Sequence, residues 1–198
     1  TPALGLVVAL SVIVLLWRHG LHTRAIGFEN YTGRPPVRTN FHARSEAMEL
    51  ARRAHAQEPG RGFGFRGNFF PGWSVAYGLE SLHGPEALVN PWMRDLCGLL
   101  PGVERLWDWR LYLEPANAGT ARPVLDALNV RFYFDLQSDQ GLLGKALKLV
   151  KTADLDVYES PTAWPRAFFT DRLASYVQPA EFIERIRQGD GRPFAAVQ

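Results

Sequence analysis

The chain has 198 residues, 46% of them hydrophobic and 21% charged, and its 22 Lys and Arg face 20 Asp and Glu for a formal net charge of +2. Basic residues scattered among acidic ones at so small a net charge exclude a nucleic-acid surface, and the apolar content excludes extended disorder. A lone cysteine, Cys97, excludes an intrachain disulfide framework and a cysteine-rich zinc site.

Thr1 to Trp17 holds no charged side chain. From Ala3 to Trp17 the run is apolar all round, without the polar stripe of a half-wet helix. Seventeen helical residues span roughly 25 Å, slightly short of a hydrocarbon core of roughly 30 Å. Residues 1–18 are therefore expected to form a transmembrane helix, the end of a polytopic membrane region. No positive charge precedes the run and no small-residue cleavage site follows it, so a signal peptide is not expected. The start at Thr1 and the strand-like end at Ala196-Val197-Gln198 give the expectation of an excerpt of a longer polypeptide, truncated at its C-terminus. Arg18, His19 and Arg24 favour a cytoplasmic flank only weakly, because long domains translocate largely regardless of such charges.

Residues 19–40, rich in Gly, Pro and Arg and stiffened by Pro35-Pro36, read as a connector. Residues 41–198 read as one α+β or mixed α/β layer domain. Its first element is a helix over 41–57, with Ala47, Leu50, Ala51 and Ala54 at helical spacing and Arg52, Arg53 and His55 facing water. A short strand then runs from Arg61 into a loop, with Phe63 and Phe65 on one face. Two short helices split by Pro91 are expected between Gly84 and Pro101. One half-buried strand is expected over 105–114, with Trp107, Trp109, Leu111 and Leu113 on one face. A helix over 120–129 with Pro123 in its first turn leads into a strand, Val130 to Phe134, bounded by Asp135. Strands follow over 147–152, 155–159 and 166–170, then a helix over 180–187 behind Pro179 and a last strand from Phe194.

Few residues suggest chemistry. Gly62-Phe63-Gly64-Phe65-Arg66-Gly67 has the G-x-G-x-x-G spacing, but Glu58-Pro59-Gly60 precedes it and Asn68-Phe69-Phe70-Pro71 follows, which defeats a dinucleotide site. Of five histidines only His19 and His22 lie close together, so no metal site is expected. Asp154 and Asp156 alternate with Leu155 and Val157 as the wet face of a strand. Cys97 sits in an apolar helix as a small hydrophobe. The stretch Asn68 to Gly84 mixes aromatic, amide and carboxylate groups as sugar sites do. Trp73 and Tyr77 would stack on a pyranose face while Asn68 and Glu80 bond hydroxyls, the competing reading being a packed loop whose aromatics fill core.

Three segments together resemble the YfhO-type bacterial membrane protein family: Asn68 to Leu88 with Tyr77-Gly78-Leu79-Glu80-Ser81-Leu82-His83-Gly84, Val124 to Tyr133, and Val157 to Phe168. The chain departs from the family's pattern at Gly84-Pro85-Glu86, where the family has Gly-Tyr-Asp. The resemblance implies a polytopic protein with a glycosyltransferase-like membrane region that takes sugar from a polyprenyl-phosphate donor outside the membrane. It places residues 19–198 in an extracytoplasmic position. Expected partners are the lipid bilayer, the polyprenyl-phosphate sugar donor and a cell-envelope glycan acceptor, with no nucleic acid and no cofactor. The catalytic carboxylate of such transferases belongs to an early loop outside this sequence, so no catalytic residue is assigned. A non-enzymatic membrane-anchored assembly module is the alternative.

Overall fold

A computed structural model of the chain describes residues 10–17, 45–69, 76–82, 91–107, 110–136 and 140–198. It divides into two compact units, Thr1–Ala43 and Arg44–Gln198. Within the first, residues 10–17 are helical and exposed. Among the described residues no helix is long and apolar enough to cross a membrane. Of the transmembrane helix expected over 1–18, residues 10–17 are described and helical, about 12 Å at 1.5 Å per residue; residues 1–9 and 18 and the connector over 19–40 lie outside the described residues.

The second unit is an α+β fold, as expected. Helix α1, Glu46–Gln57, starts where the Ser45 side chain accepts a 3.1 Å hydrogen bond from the Met48 N–H, with Glu46 and Glu49 in the first turn on the favourable side of the helix dipole. It ends before Pro59, as the residue preceding a proline avoids helical backbone. Its inner stripe is Ala47, Met48 and Ala51. Arg52 and Arg53 are exposed, but His55 is half-buried, its Nδ1 2.8 Å from the Gly60 carbonyl oxygen.

Strand β1, Arg61–Gly64, runs into a tight turn over Phe65–Gly67. Helix α2 covers Pro91–Gly98 and buries Cys97; the other helix expected ahead of Pro91 falls largely outside the described residues. The single strand expected over 105–114 is instead a hairpin, β2 (Val103–Trp107) antiparallel to β3 (Arg110–Leu113). A two-residue connection alone would set residues of opposite parity on one face, but a register shift between Arg105 and Trp107 brings Val103 opposite Leu113 and Arg105 opposite Leu111, odd with odd, so a period-two pattern carries no sign of the reversal. Leu111 and Leu113 are buried as expected.

Helix α3, Ala118–Ala127, starts two residues earlier than expected, so Pro123 lies inside it rather than in its first turn. Asn129, at φ 60°, ends the segment in the left-handed conformation that Asn tolerates, and donates 2.7 Å to the Trp164 carbonyl. Strand β4, Val130–Asp135, follows, then the short helix α4, Gln140–Leu143. Strands β5 (Lys148–Thr152) and β6 (Asp156–Glu159) form an antiparallel pair. The strand expected over 166–170 is absent; β7 is Leu173–Ser175. Helix α5, Pro179–Gln188, and strand β8, Ala195–Val197, complete the unit, β8 pairing parallel with β7.

The main sheet has the order β1-β4-β6-β5, with β1 parallel to β4 and the other pairs antiparallel. On one face Phe132, Phe134 and Val157 pack under α1, each contributing about 1.5–3 kcal/mol by burial. On the other, Phe63, Tyr133 and Tyr158 meet α3, α5 and the hairpin. Gly64 is required at the end of β1: a Cβ there would stand 2.1 Å from the Phe69 backbone nitrogen.

Candidate functional site

The four residues expected to bind sugar do not share one partner. Trp73 lies outside the described residues. The Tyr77 hydroxyl accepts from the Ser45 N–H at 2.6 Å and so helps to start α1. Glu80 accepts a hydrogen bond from Arg166 and lies 3.9 Å from Arg61; the Arg166 guanidinium, with Arg61 and His55 adding to it against the effect of burial, holds its carboxyl below the usual range. Asn68 donates 3.0 Å to Asp135 Oδ1, and its carbonyl oxygen has no hydrogen-bond partner among the described residues.

Asn68 belongs to a polar group at the C-terminal ends of the parallel strands β1 and β4, the edge where open sheets of this kind place ligands. Asp135 closes β4 and stands in register with Asp156 of β6. Both are fully buried, so the wet face expected for Asp156 is wrong: it shares the face of Tyr158, which packs in one core cluster while Val157 packs in the other, and only Asp154, beyond the strand end, is exposed. The Tyr158 hydroxyl donates 3.2 Å to Asp156 Oδ2, while Asp156 Oδ1 is buried without a hydrogen-bond partner. Arg66, at φ 50° in the left-handed region that costs a side chain strain, spans Glu114 at 3.0 Å and Asp135 at 3.7 Å. Gly67 continues that turn at φ 76°, with Arg110 against the place a Cβ would take. Asp135 thus orients Arg66 and Asn68, which are both half-buried, at the sheet end.

A second polar group forms the floor of a cavity of about 910 Å³ between α3, α5 and the 189–194 loop. Asp126 is 3% exposed and accepts 2.6 Å from the Thr162 hydroxyl at Oδ2, while its Oδ1 is buried with no hydrogen-bond partner. Burial pushes its carboxyl up, against the opposing pull of the Ser160 and Thr162 hydroxyls and of Arg122 at 3.7 Å. Arg122 Nε and the Tyr133 hydroxyl are likewise buried without hydrogen-bond partners. Burial and then the nearby Asp126 raise the Tyr133 phenol well above its ordinary value.

Hydrogen bonds join the segments that gather here. Gly62 N–H donates 2.7 Å to the Glu80 carbonyl, and Arg166 reaches the Glu80 side chain. The Trp164 N–H donates 2.9 Å to the Asp126 carbonyl, and the Ser160 N–H donates 2.9 Å to the Arg131 carbonyl.

Neither Asp126 nor Asp135 stands out in the sequence. The one signal for Asp135 is its position closing a strand of five residues that are mostly apolar; Asp126 is masked by a helical stripe in which an acidic residue ordinarily faces water. Among the described residues no group of three or more His, Cys, Asp or Glu is arranged to hold a metal ion. No family model, curated protein or solved structure matches the chain.

Proposed function

We propose that this chain is the extracytoplasmic part of a polytopic bacterial membrane protein related to polyprenyl-phosphate-sugar-dependent glycosyltransferases, and that it helps to bind the acceptor glycan. The observation that carries this reading is the contiguity of the three segments that resemble the YfhO-type family. Glu80 of the first meets Arg166 of the third, and Asp126 and Asn129 of the second hold Thr162 and Trp164 of the third. Segments that serve a shared function are expected to converge in this way. The apolar Thr1 to Trp17 run supports a membrane helix, with its described part, residues 10–17, helical and exposed. On this reading the donor is bound upstream, in the membrane, and Asn68 at the sheet edge is one acceptor contact.

One observation favours the alternative of a non-enzymatic assembly module: Tyr77 and Glu80 both make contacts within the domain. Titrating the chain with cell-envelope glycans while following tryptophan fluorescence, alongside sugar transfer by the full-length protein carrying Asn68→Ala and Glu80→Ala, separates the two. Saturable fluorescence change with transfer reduced about tenfold or more, equivalent to about 1.4 kcal/mol, supports acceptor binding. No fluorescence change and undiminished transfer overturn it.

A further inference from the structure

The chain's only lysines, Lys145, Lys148 and Lys151, fall close together, whereas its arginines are spread from Arg18 to Arg192. No acidic residue lies between Gln140 and Thr152, where the lysines are interleaved with Leu142, Leu143, Leu147, Leu149 and Val150. The fold buries only part of this apolar content. Leu143 and Leu147 enter the core, and the Arg122 guanidinium donates 2.7 Å to the Ala146 carbonyl, which fixes the stretch between α4 and β5. Leu142 and Val150 stay 49% and 45% exposed, and Leu149 39%. The Gln140 amide donates 3.2 Å to the Thr152 hydroxyl, so the start of α4 and the end of β5 belong to one surface.

Strand β5 is an edge of the main sheet, and its residues are exposed throughout. Its register separates the two kinds of side chain. Lys148 and Lys151 stand opposite Glu159 and Val157, on the face that carries α1, and Leu149 stands opposite Tyr158, on the face that carries α4. The register shift between Leu149 and Lys151 leaves Val150 as the extra residue of a bulge. Lysines and a bulge are devices that keep an edge from pairing with another strand, so strand addition is not the use of this edge. An apolar band bordered by lysines fits the interface of an anionic bilayer instead: the apolar side chains enter the headgroup boundary while the ammonium groups, on long apolar stems, stay among the phosphates. Lys151 is held by Glu46, and Glu159, opposite Lys148, lies 3.8 Å from Arg131. Among the described residues neither Lys145 nor Lys148 forms an ion pair, which leaves their charge to an outside anion.

We propose that Leu142, Leu149 and Val150, with Lys145 and Lys148 beside them, dock this unit on the surface of a bilayer that contains anionic phospholipid. Charge density and apolar depth, rather than one headgroup, are what the surface recognises. The proposal uses neither acceptor binding nor insertion of the Thr1 to Trp17 run.

The test adds vesicles to the full chain carrying Cys97→Ala and Leu149→Cys, with an environment-sensitive thiol dye at position 149. One set is phosphatidylcholine, the other an equal mixture of phosphatidylcholine and phosphatidylglycerol. Dye emission is expected to move to the blue with the anionic vesicles only, and to return in about 1 M salt, where charges are screened beyond about 3 Å. Lys145→Gln combined with Lys148→Gln, both at exposed positions, is expected to keep the thermal midpoint and to lower the ratio of docked to undocked dye about fivefold for each lysine. Lys145→Arg combined with Lys148→Arg is expected to retain docking. No blue shift with anionic vesicles, an equal shift with neutral ones, or an unchanged ratio in the double Gln variant overturns the proposal. A shift produced by polyglutamate and by no vesicle overturns it in favour of an acidic protein. Co-sedimentation with neutral vesicles reports the Thr1 to Trp17 run separately: its absence counts against the membrane-helix reading and leaves the dye result to decide docking.

Discussion

The two buried polar groups on one side of the sheet are built around acids with different neutral donors. At the sheet end Asp135 meets an amide, Asn68, and a cation, Arg66, and faces Asp156 in register. Beside the cavity Asp126 meets hydroxyls instead of an amide, and its cation, Arg122, stands at the same 3.7 Å as Arg66 does from Asp135. The first arrangement uses one buried acid, Asp135, to fix polar side chains at the end of the sheet. The second sets a buried acid under hydroxyls beside open space; a buried carboxylate oxygen without a hydrogen-bond partner is common to both, Asp156 Oδ1 in the first and Asp126 Oδ1 in the second. A third acid sharpens the contrast. Burial opposes ionisation of Asp154, yet the Ser45 hydroxyl and the Ala47 N–H at the start of α1 together hold its carboxyl below the usual range. Depth and donors therefore act against each other: at exposed Asp154 the donors outweigh burial, and at buried Asp126 burial outweighs the donors.

The largest expected effect comes from Gly64→Ala, which sets a Cβ against the Phe69 backbone nitrogen and displaces the turn that carries Arg66 and Asn68. A loss of about 3 kcal/mol or more is expected, read as a lower denaturant midpoint. An unchanged midpoint would show that the sheet end is not held as tightly as its geometry implies. Next is Asp135→Ala, which strips Asn68 and Arg66 of a buried partner at the sheet end and leaves the cavity untouched; about 2–4 kcal/mol is expected from the same measurement.

A smaller effect is expected at Asp154. Its folded-state pKa lies below the unfolded one, so its contribution is present above the unfolded pKa and is lost as pH falls through the folded value. Asp154→Ala is expected to remove about 1 kcal/mol at neutral pH, less at high salt, with no difference from the parent once pH has fallen below the folded pKa. Asp126 has the opposite sign. Its folded pKa is raised, so the ionised form weighs against folding at neutral pH, and stability rises as pH falls from the folded toward the unfolded pKa. Thermal melts across that interval are expected to show the rise in the parent and its absence in Asp126→Asn, each pKa unit of elevation corresponding to about 1.4 kcal/mol. A parent that loses stability over that interval while the variant does not would remove the contrast between Asp126 and Asp154.

Much of the fold was legible along the chain. The helix ending at Gln57, the strand from Arg61, the strand Val130 to Phe134, the pair around Asp154 and the helix behind Pro179 all follow from local periodicity and breakers, which act over a few residues. What failed depended on distant partners. The 105–114 run looks like one strand because the register shift between Arg105 and Trp107 sets odd residues opposite odd ones, and only pairing of Val103 with Leu113 shows the reversal. Asp156 looks like a wet-face residue because alternation cannot report that the opposite face is also covered. Of the four candidate sugar contacts, Asn68 lies beside the buried acids, whereas Tyr77 and Glu80 meet Ser45 and Arg166 at distances along the chain that no local pattern spans.

By itself the sequence determined an uncharged apolar opening run and an α+β unit behind it with no strong charge, because hydrophobic periodicity and composition act locally and additively. Tertiary structure alone decided which acids are buried and what surrounds them. Asp126 is brought to Thr162 and Asp135 to Asn68 and Asp156 only once β4 is paired on both sides and α3 is packed over it. The cost of burying a carboxyl, and hence the use it can serve, is set by those neighbours.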